Sequence, residues 1–264
     1  MRHTLTLISF LVTMFASAQE YETLYKEGFG YIKEKNYEKA AECFERALPL
    51  ATGEEETFSL HLNLAYSSMM YGNTAKALEN YNKAIKIRGN DRALLFQRAA
   101  VLMQAGRHDD AIEDCNTILA GNPKDSEAMV MKAQAYMTKG DNSKAKEECT
   151  RIISLFPDNI NARLGLAMVY KHEHLYERAS LLIGLLIEEL PDNASLYIAR
   201  SDIEREQGLY ELALLDVEKA IELDPGNAEY YTLQAILLEK CGKKDEAVKS
   251  RNNAKRLKAV FSPI

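Results

Sequence analysis

The chain has 264 residues, with 33 basic against 39 acidic side chains and a net charge of −6. At 47% hydrophobic and 27% charged it has the composition of an ordinary globular protein. An acidic balance without a basic stripe argues against nucleic acid or an anionic membrane surface as partner.

Residues 1–18, MRHTLTLISFLVTMFASA, have a basic start, an apolar run from Leu5 to Phe15 and then Ala16-Ser17-Ala18. That is the anatomy of a secretory signal peptide, with cleavage expected after Ala18 to leave Gln19. The run falls short of the ~20 apolar residues of a spanning helix. No cysteine follows it to carry a lipid. The expectation is an exported chain without membrane insertion after cleavage, periplasmic in a bacterium or else secreted. Loss of Arg2 would leave the mature chain at −7.

From Tyr21 onward the spacing predicts a helix over 21–33, a second over 37–50, and a junction at 51–56 three residues longer than those that follow. Beyond it the same residue types return every 34 positions. Pro123, Pro157, Pro191 and Pro225 form one ladder. Gly72, Gly106, Gly140, Gly208 and Gly242 form another, with His174 in its missing rung. Ala77, Ala111, Ala145, Ala179, Ala213 and Ala247 form a third; Gly28, Ala65, Ala99, Ala133, Ala167, Ser201 and Ala235 form a fourth. Self-similarity at fixed period outranks any local motif and marks an array of helical hairpins with one continuous core.

The stretch 194–227 shows why each rung is needed. Gly208 falls where the first helix ends and the chain reverses, a site for positive φ. Pro225 cannot continue a helix and biases Asp224 away from α geometry. The two small-residue ladders lie where the helices of one hairpin approach, and a larger side chain there would cost roughly 1–3 kcal/mol. The last hairpin exposes Lys249, Arg251, Asn252, Lys255 and Arg256 on its second helix, the polar outer face of a terminal cap.

Motifs with chemical promise have plainer explanations. Gly28-Phe29-Gly30 resembles the start of a phosphate loop but follows no strand, and a packing glycine accounts for it. His172-Glu173-His174 has spacing two, whereas helical zinc ligands want four. The sequon Asn193-Ala194-Ser195 lies in a repeat junction. Cys115 and Cys149 are equivalent sites about 8–10 Å apart, beyond disulfide reach, and with Cys43 and Cys241 are expected as free thiols. No catalytic residue, metal site or cofactor is expected.

The 34-residue helix–turn–helix with these ladders resembles the tetratricopeptide repeat. Seven repeats are counted: 21–54, 58–91, 92–125, 126–159, 160–193, 194–227 and 228–261. The resemblance implies an all-α, right-handed superhelical solenoid of seven helix–turn–helix repeats. It further implies a protein or peptide ligand held along a concave groove of first helices. Departures from the family pattern are His61 and Arg163 at large apolar sites, Glu204 at an aromatic one, and the lack of Trp.

Projected onto this frame, the groove receives Tyr25, Phe29, Tyr66, Met69, Met70, Phe96, Met103, Val130, Met131, Gln134, Met137 and Met168 in its apolar part. Lys171, His172, Asp202, Arg205, Glu206, Glu239 and Lys240 fall in a charged part. Methionine is over-used on surfaces that accept varied apolar partners. The same residues at helical spacing would equally serve as core. The carboxylate clamp of the co-chaperone subclass would fall on Tyr25, Phe29, Asn63, Ala93 and Gln97; only Asn63 matches, so that ligand is not expected. Two further readings stay open: self-assembly as a homo-oligomer in a cell-envelope complex, and a metal-dependent activity at His172 and His174.

Overall fold

The computed structural model of the protein describes residues 2–261, and the side chains of 15–259. Two compact units divide the chain, residues 1–135 and 136–264. The N-terminal unit holds α1 (Arg2–Lys33), α2 (Tyr37–Ala47), α3 (Glu54–Met70), α4 (Thr74–Arg88), α5 (Arg92–Gln104), α6 (His108–Gly121) and most of α7 (Ser126–Thr138). The C-terminal unit continues through α8 (Asn142–Leu155), α9 (Ile160–His172), α10 (Tyr176–Glu189) and α11 (Ala194–Glu206). It ends with α12 (Tyr210–Leu223), α13 (Ala228–Lys240) and α14 (Lys244–Phe261). No strand occurs among the described residues. Within each unit a helix packs on its hairpin partner and on the next hairpin, as α3 does on α4 and α2, and α11 on α12 and α10.

Both small-residue ladders are buried. Ala65, Ala99 and Ala167 on first helices, and Ala77, Ala111, Ala145, Ala179, Ala213 and Ala247 on second helices, have no exposed surface. In the first hairpin the contact is tightest: a Cβ on Gly28 would sit 2.6 Å from Cε1 of Phe44. The hairpin turns share one geometry. Around Gly208, Leu209 donates its N–H to the Glu204 carbonyl and Gly208 to that of Arg205, the paired bonds of a Schellman motif. His174, in the missing rung, takes the same bonds at φ +58°, and Lys35 does so at φ +59°.

From the junction before α5 onward, each turn between hairpins is fastened by a cap that also repeats every 34 residues. Asp91, Asn159, Asn193 and Asn227 each accept a bond from the first turn of the next helix. Asp125 does likewise for Ala128 N–H at 3.0 Å, while accepting two bonds from the Arg92 guanidinium. Asp224 lies outside the α region, at φ −138° and ψ 80°, as Pro225 favours.

The first repeat departs from the expected boundaries. The α1 helix begins at Arg2 instead of near 21, so the stretch read as a signal peptide is continuous with it. Residue 1 and the side chains of 2–14 lie outside the described residues. The second helix stops at Ala47 because Pro49 has no N–H to continue it, and Leu48–Leu50 form a 3₁₀ turn. At the longer junction Glu56 accepts from Thr52 N–H at 2.7 Å, and α3 gains an extra N-terminal turn. At the other end Lys249, Arg251, Asn252, Lys255 and Arg256 are exposed on α14.

Candidate functional site

A first helix that buries its small ladder residue against its own second helix leaves the next residue, and the one a turn later, on its other side. After Ala65 these are Tyr66, Met69 and Met70. The structure exposes Phe29 (38%), Tyr66 (39%) and Met70 (43%) in the N-terminal unit. Gln134 there and Arg205 in the C-terminal unit are exposed as well. Tyr25, Met69, Phe96, Met103, Val130, Met131, Met137 and Met168 are half-buried, and Lys171 is buried.

In the N-terminal unit the exposed rings sit on a firm base. Phe44, fully buried, meets Phe29 edge-on at 5.6 Å and Tyr25 at 6.0 Å, and Tyr25 meets Phe29 at 5.0 Å. Tyr66 meets Tyr37 of the preceding hairpin edge-on at 6.1 Å. Tyr25 and Met69, Met103 and Met131 lean on the hydrophobic clusters beneath them. The Arg92 guanidinium lies 5.1 Å over the Phe96 ring. Phe29, Tyr66 and Met70 are thus exposed apolar side chains on first helices, the Phe29 ring backed by buried Phe44 and the Tyr66 ring by half-buried Tyr37.

The charged part in the C-terminal unit is neutralised from within. The Lys171 ammonium donates to Asp202 and lies 3.0 Å from Glu206, and Arg205 also donates to Asp202. Burial would lower the Lys171 pKa, but the two carboxylates hold it above the ordinary lysine range. Burial pushes Asp202 up, and the two cations bring it below the usual carboxylate range. Lys171 is therefore a brace between α9 and α11, not a cation free for a ligand. Met168 and Met137 also face inward here: Met168 packs on the α9–α11 core, and Met137 lies against Gly165.

Ile236, 45% exposed, was not anticipated. It follows Ala235 as Tyr66 follows Ala65, and that offset was the signal. A second unread pattern is a set of polar pairs between the helices of one hairpin. Asp114 receives Arg98 Nε at 2.9 Å, and Asp216 receives Arg200 through two bonds of 2.7 Å. Ser250 donates to Gln234, also 16 residues away, and buried His61 bonds Asn80 at 2.9 Å.

His172 is exposed, and His174 bonds the Tyr176 hydroxyl at 2.7 Å. Among the described residues no group of His, Cys, Asp or Glu could hold a metal ion. All four cysteines are free thiols; burial pushes Cys115 up to about 12 and Cys149 to about 11. No described helix is long and apolar enough to cross a membrane.

Sequence profiles of the tetratricopeptide repeat match residues 21–50, 62–126, 102–153, 137–203, 194–227 and 217–249. A tetratricopeptide-repeat protein from Parabacteroides merdae superposes with a TM-score of 0.77 at 24% identity, over 90% of this chain and 93% of its own. A thermophilic protein of the same repeat type from Thermus thermophilus gives 0.58 at 20% identity, over 69% and 99%. No curated protein sequence matches the chain.

Proposed function

Because the chain belongs to the tetratricopeptide-repeat family, we propose that it is an exported, non-catalytic scaffold that holds a peptide or protein segment against its first helices. The observation that carries this reading is the set Phe29, Tyr66 and Met70, all exposed on first helices of one unit, with Phe29 backed by the buried Phe44 ring. These residues supply the apolar anchors. The half-buried methionines beside them, Met69, Met103 and Met131, adapt to the side chain that arrives. An anchor of this kind costs more than about 1–2 kcal/mol of binding when truncated. The segment 1–18 supports export, and an N-terminus at Gln19 on protein recovered from the periplasm or medium tests it.

The site is tested with a photo-crosslinking residue at Tyr66 in the full chain, expressed in its source cell, with Glu79 on α4 as the control position. A discrete adduct at 66 that Met70→Lys abolishes supports the groove. Equal adducts at 66 and 79, or an adduct indifferent to Met70→Lys, refute it. Light scattering on mature protein separates ligand capture from self-assembly, since only the latter gives a mass that rises with concentration.

A further inference from the structure

The second helices α10 and α12 differ from the others on the side facing solvent. One stripe of a second helix starts at the residue just before its first turn and recurs at three- and four-residue steps. In α2, α4, α6, α8 and α14 it reads, at its third place, Glu42, Glu79, Glu113, Glu147 and Lys249, all exposed. In α10 and α12 that place is Leu181, 65% exposed, and Leu215, 61% exposed. Leu175 and Leu185 extend the stripe on the first hairpin, Leu209 and Leu212 on the second, each more than a third exposed. Both helices pack on α11. The leucines therefore lie at equivalent places on two second helices of the C-terminal unit that share α11 as a neighbour, and not on the first helices of the proposed groove.

Two further observations say what covers them. Exposed carboxylates border the leucines at helical neighbour spacing: Glu177 beside Leu181, Glu188 beside Leu185, and Glu211 and Glu218 beside Leu215. None of these four makes an ion pair among the described residues, whereas Glu189 and Glu222 are already held by Arg163 and Lys219. The second is Gly184, in the middle of α10 between Leu181 and Leu185. A Cβ there would meet nothing within 4 Å, so no packing in this chain explains a residue that weakens the helix. It leaves bare backbone where another chain can come close.

We propose that this face docks a cationic amphipathic helix of another protein, its aliphatic residues on the leucine stripe and its Lys and Arg on the flanking glutamates. A second copy meeting face to face would oppose like charges. Among the described side chains of the cationic α14 helix, the exposed large apolar residue is Val248. Anionic lipid is repelled by the same carboxylates.

The probe is a labelled 18-residue helix with leucines at i, i+3, i+4 and i+7 and flanking lysines, titrated against the mature chain by fluorescence anisotropy. Binding should weaken at least tenfold in Leu181→Glu/Leu215→Glu and with a glutamate-flanked version of the peptide. It should also weaken in Gly184→Gln, which raises the thermal midpoint while filling the bare backbone. Tyr66→Ala should leave it unchanged, which separates this face from the groove. Equal affinity in the double leucine variant, equal affinity for the acidic peptide, or loss only in Tyr66→Ala would overturn the proposal. So would a wild-type dimer that the leucine variant dissociates, or tighter binding to phosphatidylserine vesicles than to the peptide.

Discussion

Two glycines two residues apart in α1 make a controlled test of the packing between ladders. Gly28 and Gly30 occupy the same helix, and alanine at either gains about 1 kcal/mol of helix propensity. At Gly30 the new methyl meets nothing within 4 Å. At Gly28 it would lie 2.6 and 2.7 Å from two carbons of Phe44, about 1 Å inside ordinary carbon contact. Phe44 has no exposed surface and is wedged by Tyr25 and Phe29, so its ring has little room to yield. Overpacking of this kind costs about 1–3 kcal/mol. Gly30→Ala should then stabilise the protein by about 1 kcal/mol, while Gly28→Ala falls below it by about 1–3 kcal/mol. Urea denaturation followed by circular dichroism in the far ultraviolet measures both against wild type. Phe44→Leu should cost less in the Gly28→Ala background than alone, because it removes the clashing atoms. If Gly28→Ala stabilises as much as Gly30→Ala, the close approach of α1 and α2 is not as described.

Glu204 is raised to about 7, first by burial and then by Asp216. Its folded pKa exceeds the unfolded value, so the folded state binds the extra proton and stability falls as pH rises from about 4.5 to 7. With partial solvent screening we expect a loss of about 1–2 kcal/mol, and a flatter profile in Glu204→Gln; parallel urea midpoints for the two proteins from about pH 5 to 8 would contradict this. Removing Lys171 leaves Glu206 without its cation and Asp202 with Arg205 alone, and Lys171→Met should cost about 1–3 kcal/mol by urea denaturation; an unchanged urea midpoint would contradict the bracing role. Ellman's reagent should label Cys241 first in native protein. Cys43, Cys115 and Cys149 should wait for unfolding, because they are buried and burial holds their thiols protonated.

The backbone was legible because each ladder residue answers a local steric demand. An alanine can only be there if two helices nearly touch, and a recurrent glycine only if φ turns positive. Even the broken rung at His174 kept its turn, since the paired backbone bonds hold it. Other regularities were hidden by changing chemistry. The caps change from Asp at 91 and 125 to Asn at 159, 193 and 227, and the pairs 16 residues apart run from Arg–Asp to Gln–Ser. Exposure was the least legible property. Met70 and Met103 are both offered to the groove by the repeat frame, yet Met103 leans on a buried cluster while Met70 is 43% exposed. Lys171 looked like a groove cation because its two carboxylates lie on the next first helix, 31 and 35 residues away.

The final helix has a consequence for encounters in solution. Lys244, Lys249, Arg251, Lys255, Arg256 and Lys258 set against Asp245 and Glu246 make α14 a positive terminus on a chain that is negative in sum. An anionic visitor is drawn toward such a helix and turned by it before contact. Raising ionic strength should therefore slow arrival far more than it hastens departure.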